Sequence, residues 1–150
     1  KLVIVGNGMA GVRTIEELLK LDPELYDITI FGSEPHPNYN RILLSPVLAG
    51  EQTIEQIILN DLAWYKDNGI QLHLGKTITK IDRQERMVTA SDGTTEVYDR
   101  LLLATGSQPF ILPVPGNDLP GVIAYRDIKD TNEMIDVASR YKASVVESVV

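Results

Sequence analysis

The sequence predicts an α/β fold, a parallel sheet with helices on its faces and an antiparallel β-meander inserted into it. Three observations predict it. A short apolar run, residues 2–5 (LVIV), ends abruptly at glycine and gives way to helical periodicity. A second apolar run at 27–32 (DITIFG) completes a strand–helix–strand unit. Further along, short alternating runs separated by charged or Asp92-Gly93 turns read as hairpins rather than crossovers.

Taken in order, the β-branched run at 2–5 has the composition of a strand buried on both faces. After Gly11, Val12, Ile15, Leu18 and Leu19 recur at helical spacing with charged residues between them, and Asp22-Pro23 stops the helix. Residues 35–50 hold three prolines, two asparagines and a closing glycine, which predicts a structured loop with a short helix. Ile54, Ile57, Ile58, Leu62 and Tyr65 share one side of a helix over 54–68, ended by Asn68-Gly69. Residues 70–74 alternate as a strand, and the meander strands fall near 77–82, 86–90 and 95–98. A buried strand returns at 100–104 and stops at Thr105-Gly106. Four prolines in 107–121 predict an extended connector, before a helix at 127–141 and a strand-like run at 143–150.

The totals bound the function. A net charge of −7 and the absence of a Lys/Arg run exclude a nucleic-acid backbone or an anionic membrane as the main partner. No apolar stretch approaches the roughly 20 residues of a membrane span. The start of the chain does not read as a signal peptide, so a cytoplasmic location is expected. With no cysteine, the chain has no thiol redox chemistry and no thiolate metal ligand. His36 and His73 are too far apart to suggest a metal site, and we assign none. His36 reads as a solvated loop residue, His73 as an outward-facing strand residue, and Trp64 and Tyr65 as core packing.

The chemistry lies in Gly6-Asn7-Gly8-Met9-Ala10-Gly11, a G-x-G-x-x-G sequence between a strand and a helix. The first glycine permits the tight turn and the second lets the backbone approach a pyrophosphate. The third lets the helix pack against the sheet. The helix N-terminus presents N–H groups and a partial positive charge to the phosphates. Glu34 follows the second strand, where its carboxylate can accept hydrogen bonds from an adenosine ribose. These residues specify a Rossmann-type dinucleotide site but do not separate NAD from FAD.

Tyr98 to Ser107 (YDRLLLATGS) resembles the second signature of the two-dinucleotide-domain flavoprotein reductases, in which a strand delivers an Ala-Thr-Gly turn against the flavin. The string HPNYNRILLSPVLAGE, His36 to Glu51, resembles the large subunits of assimilatory NAD(P)H-dependent nitrite reductases. LHLGK (72–76) and LLLATGSQPFILPVPG (101–116) resemble the same proteins. Leu44-Ser45-Pro46 departs from the Leu-Ser-Lys of ferredoxin and rubredoxin reductases, though Arg41 and Ser45 match that pattern.

The resemblance implies an oxidoreductase flavoprotein of nitrate assimilation whose cofactor here is FAD. It assigns residues 6–11 to the FAD pyrophosphate, Glu34 to the adenosine ribose, Arg41 to a place near the pyrophosphate or adenine, and Ser45 to the cofactor-binding residues. Ile78 is assigned to the adenine pocket, Ala104, Thr105, Gly106 and Ser107 to the flavin end, and Arg126 to a further FAD contact. No side chain is assigned a catalytic role, because the flavin carries the redox step.

The resemblance also implies a truncated FAD-binding domain. Residues 1–122 would form its N-terminal portion, and 123–150 a linker helix and the start of an absent NAD(P)H-binding domain. The glycines of a second dinucleotide motif are missing from ASVVESVV (143–150), and so are cysteines for an iron–sulfur cluster and sirohaem. Expected partners are therefore the NAD(P)H-binding and sirohaem parts of the parent enzyme, with a homodimer through exposed sheet surface. Isolated turnover is not expected. The rival readings are the FAD domain of an NADH-dependent ferredoxin or rubredoxin reductase or NADH oxidase, and a non-catalytic nucleotide-binding module.

Overall fold

The computed structural model of the chain describes residues 1–141. The strand expected at 143–150 lies outside them. Two compact units emerge, one of Lys1–Asn40 with Ile58–Gly106, the other of Arg41–Ile57 with the described residues from Ser107 onward.

In the first unit, β1 (Leu2–Val5), β2 (Ile28–Phe31), β3 (Gln71–His73) and β7 (Arg100–Leu103) form a parallel sheet in the order β3-β2-β1-β7. The register pairs Val3 with Thr29 on one side and with Leu101 on the other. Every residue of β2 and the last three of β1 are buried, as central parallel strands covered on both faces require. Helix α1 (Met9–Leu21) links β1 to β2 and lays Val12 and Ile15 on the sheet. On that side Ile4, Ile15, Ile28, Ile30, Tyr65 and Ile70 form one core cluster. Strands β4 (Ile78–Asp82), β5 (Met87–Ala90) and β6 (Thr95–Val97) make the antiparallel meander, with a register irregularity between Ile78 and Lys80. Val88 and Ala90 of β5 pack with Val3 and Phe31, so the meander covers part of the sheet in a second cluster.

The helix expected over 54–68 is broken. A single 3₁₀ turn spans Glu55–Ile57, and α3 starts afresh at Leu62–Asp67. The residues between them bond elsewhere: Leu59 N–H donates to Asn38 C=O at 2.9 Å, and Ile58 bridges Tyr39. Asp61 then caps α3 by accepting from Trp64 N–H at 2.8 Å. Apolar spacing does not register a competing partner for the backbone.

In the second unit, a 3₁₀ turn (Arg41–Leu43) leads into α2 (Leu44–Leu48), where Pro46 sits in the first turn and breaks no helical bond. Helix α4 (Ile128–Tyr141) opens on a reciprocal cap. Asp130 N–H donates to the Asp127 carboxylate at 2.9 Å, and the Asp130 carboxylate accepts from Arg126 N–H at 2.8 Å. The connector from Ser107 to Gly121 forms turns only and exposes most of its side chains.

Candidate dinucleotide site

The chain leaves β1 for β2 on one side and later returns to β7 on the other, so strand order reverses at β1. In open parallel sheets, ligands bind outside the carboxyl ends of the strands at such a point. Three candidate segments end there. Gly6 follows β1, Gly32 to Glu34 follow β2, and Ala104 to Gly106 follow β7.

The glycines differ in what surrounds them. Gly6 has φ +114°, and a Cβ there would lie 2.2 Å from the Ala104 carbonyl oxygen. Its N–H is tied to Phe31 C=O at 2.8 Å, and Ala104 N–H to Val5 C=O at 2.8 Å. The glycine turn and the Ala-Thr-Gly turn thus touch backbone to backbone. A Cβ on Gly11 would lie 2.8 Å from the Gly6 carbonyl oxygen, the close helix approach that glycine serves here. At Gly8 an added Cβ would meet nothing within 4 Å. Gly8 is the N-cap of α1, and no side chain caps that terminus. Its first-turn N–H groups and dipole are thereby presented to open space, beside Met9 and Ala10 of a cleft also lined by Arg13, Glu16 and Leu59.

Asn7 turns inward. Its Oδ1 accepts from the Tyr65 hydroxyl at 2.8 Å, and its Nδ2 donates to His36 C=O at 3.4 Å. Glu34 is half-buried and accepts from the Tyr39 hydroxyl at 2.6 Å. Ile78 is half-buried at the start of β4 and packs against the Val3–Phe31–Val88–Ala90 cluster. Thr105 and Gly106 are exposed.

Arg41, Ser45, Ser107 and Arg126 belong to the second unit. There Arg41 Nη1 donates to the Arg126 backbone carbonyl at 2.8 Å, so these two candidates meet through main chain. The Tyr125 hydroxyl reaches Ser45 Oγ at 3.4 Å, and Ser107 is exposed.

Several residues near the site were not singled out by sequence. Tyr39, Asn38 and Asn60 are buried and hydrogen-bonded around the loop that carries Glu34. Tyr65 is core, as expected, but its hydroxyl also bonds Asn7. A buried phenol needs a partner, and that was the available signal. His73 does not point outward. Its ring stacks on Phe31 with centroids 4.6 Å apart, and burial, with Lys76 nearby, holds its pKa below the usual histidine value. Among the described residues no group of His, Asp and Glu is arranged to hold a metal ion. No described helix is long and apolar enough to cross a membrane.

The model of one family, pyridine nucleotide-disulphide oxidoreductase, matches residues 1–147. The chain is 54% identical over 146 residues to "Nitrite reductase [NAD(P)H]" of Bacillus subtilis (strain 168), covering 97% of this chain and 18% of that protein. It is 49% identical over 146 residues to the "Assimilatory nitrate reductase electron transfer subunit" of the same organism, covering 97% of this chain and 19% of that one. Among solved structures, NADH:rubredoxin oxidoreductase from Clostridium acetobutylicum superposes with a TM-score of 0.83 at 27% identity, over 93% of this chain and 36% of that one. The chain therefore spans about a fifth of the length of these curated relatives.

Proposed function

The chain belongs to the pyridine nucleotide-disulphide oxidoreductase family, and from that premise we propose that it is the FAD-binding region of an NAD(P)H-dependent nitrite reductase. The observation that carries the reading is the meeting of the two signature turns. Gly6 and Ala104 are in backbone contact at the switch point of the sheet, while Gly8 opens the α1 N-terminus beside them. The 54% identity to an NAD(P)H nitrite reductase supports the same parent.

The residues fit the adenosine diphosphate part of FAD. Gly8 gives a pyrophosphate room to approach α1, whose dipole and first-turn N–H groups favour the negative charge. Glu34 stands at the end of the adjacent strand as acceptor for ribose hydroxyls. Thr105 and Gly106 are exposed where the flavin end is expected. In the second unit, Arg41, Ser45, Ser107 and Arg126 are proposed as the further contacts, with residues 1–122 as the FAD-binding portion. When bound, FAD supplies the hydride-accepting chemistry. This chain's contribution is to bind and orient it.

The reaction of the complete enzyme is then reduction of nitrite to ammonia with NAD(P)H as donor. The 150 residues contain no cysteine, so a cysteine-held iron–sulfur cluster and sirohaem belong to other parts of that enzyme. We assign turnover to the whole and binding to this region. A second reading, the FAD domain of a rubredoxin or ferredoxin reductase, is supported by the TM-score of 0.83 to the rubredoxin enzyme but by only 27% identity.

Titration of the purified protein with FAD, AMP and NADH, with the flavin absorbance spectrum recorded, tests the proposal. FAD binding tighter than NADH is the expected result. Binding of NADH in preference to FAD would make the glycine turn a nicotinamide-cofactor site and overturn the reading.

A further inference from the structure

Two glycines flank Asn7, so the turn that is to receive phosphates has little stiffness of its own. Its conformation is held from outside by a chain of buried and part-buried hydrogen bonds within the first unit. The Tyr65 hydroxyl, 2% exposed on α3, donates to Asn7 Oδ1 at 2.8 Å and accepts from Asn38 N–H at 3.2 Å. Asn38 Nδ2 donates to Asn60 Oδ1 at 2.8 Å, and Asn60 Nδ2 donates to Glu16 Oε1 at 3.0 Å, on the helix that the glycine turn opens. The relay therefore leaves the glycine turn, passes through α3 and the loop, and closes on α1. Tyr39, the neighbour of Asn38 in the chain, donates to the Glu34 carboxylate at 2.6 Å. One phenol thus joins the segment bearing the phosphate-binding turn to the segment bearing the ribose carboxylate. Burial raises the Tyr65 pKa above its ordinary value, which keeps the hydroxyl a neutral donor at working pH.

We propose that Tyr65 is a positioning residue that sets the spacing between the glycine turn at Asn7 and the Glu34 loop at Asn38, so that an adenosine diphosphate moiety is read at both ends. The inference rests on the site reading above. Its consequence is selective. A ligand that reaches both ends, such as ADP, depends on the spacing, whereas adenosine reaches only the carboxylate end. Holding two recognition points in register before binding is preorganisation, and its loss weakens the ligand that uses both.

Calorimetric titration of the wild-type protein and the Tyr65→Phe variant with ADP and with adenosine tests this, alongside thermal unfolding. The expected result is a loss of roughly five- to tenfold in ADP affinity with adenosine affinity changed less than about twofold, the scale of one net hydrogen bond. Asn7→Ala removes the acceptor from the other side and is the second variant should Tyr65→Phe fail to fold. It should shift the same ratio, and adding Tyr65→Phe to Asn7→Ala should change that ratio no further, since the shared bond is already gone. Equal losses for both ligands, following the drop in thermal stability, would reduce Tyr65 to a packing residue and overturn the proposal, as would unchanged ADP binding. A wild-type protein that binds neither ADP nor FAD would sink the site reading itself, an outcome distinct from normal binding with unaltered ligand preference in the variant.

Discussion

The two units are built from similarly apolar sequence and use it in opposite ways. In the first, Ile4, Val3, Ile30 and Phe31 are almost entirely inaccessible to solvent. In the second, Phe110 is 81% exposed, and Leu112, Val114 and Leu119 are also largely exposed. Hydrophobicity does not explain the contrast, but hydrogen bonding does. The central strands β1 and β2 of the first unit satisfy their backbone along two neighbours, which lets side chains be stacked in layers. Residues 107–121 contain Pro109, Pro113, Pro115 and Pro120, none of which can donate, and their short-range turns bring no second layer into place. Apolar residues make a core only where the backbone can be paired while they do so.

Two glycines with positive φ separate crowding from backbone strain. Gly6→Ala puts a methyl group 2.2 Å from the Ala104 carbonyl oxygen at φ +114° and should cost about 2–5 kcal/mol, the sum of overpacking and left-handed strain. Gly121 has φ +94° with nothing near its Cβ position, so Gly121→Ala should cost about 1–2 kcal/mol from strain alone. Denaturant unfolding measures both, and equal costs would show that the turn at Gly6 relaxes freely. A smaller contrast follows for side chains. Ile4→Val removes one methylene from a fully buried site and should cost about 0.5–1.5 kcal/mol. Leu112→Ala, at a site 63% exposed, should stay within about 0.5 kcal/mol. A larger loss at Leu112 would mean that the connector is covered.

The smallest effect is in pH. His73 lies between Phe31 and groups of both signs: Lys76 lowers its pKa, while Glu96 and Asp92 raise it, and burial tips the balance downward from 6.5. The folded state therefore holds the proton less well than the unfolded chain. The stability due to neutral His73 is complete above about pH 6.5 and is lost as pH falls through the lower folded value. His73→Phe keeps a ring against Phe31 and should flatten the stability–pH curve over that window while leaving carboxylate titration at lower pH untouched. An unchanged curve would mean that the ring is solvated in both states.

The same contrast shows what the sequence makes legible. The Rossmann-type sheet, the meander and the glycine turn follow from local periodicity and from glycines whose duties lie within a few residues. The runs at 2–5, 27–32 and 100–104 are strands almost to the residue. What escaped was nonlocal. The helix over 54–68 is broken because Leu59 bonds Asn38, a partner 21 positions earlier that no periodicity announces. His73 reads as outward-facing because alternation with Leu72 and Leu74 carries no information about Phe31 on the neighbouring strand. At the candidate site, Gly6 to Gly11 and Glu34 could be nominated from motif spacing. Tyr39, Asn38 and Asn60 act through the folding-together of loops, which a single sequence does not encode in any pattern of spacing.

Gly32 illustrates where such nonlocal dependence leads. A Cβ at Gly32 would lie 2.9 Å from the Asn7 Cβ, although Gly32 has no left-handed backbone to explain a glycine. The identity of one position is thus dictated by a side chain 25 residues away. The crowding atom is the Asn7 Cβ, so a side chain at Gly32 is relieved in place only by glycine at position 7, which gives up the bond to Tyr65. Each first step is unfavourable alone, so the pair can drift only through a joint change. Among relatives the two positions should covary, with a side chain at the end of β2 accompanied by glycine at the position of Asn7. In evolutionary terms the glycine turn is epistatically constrained, and descent from this sequence moves two residues at a time.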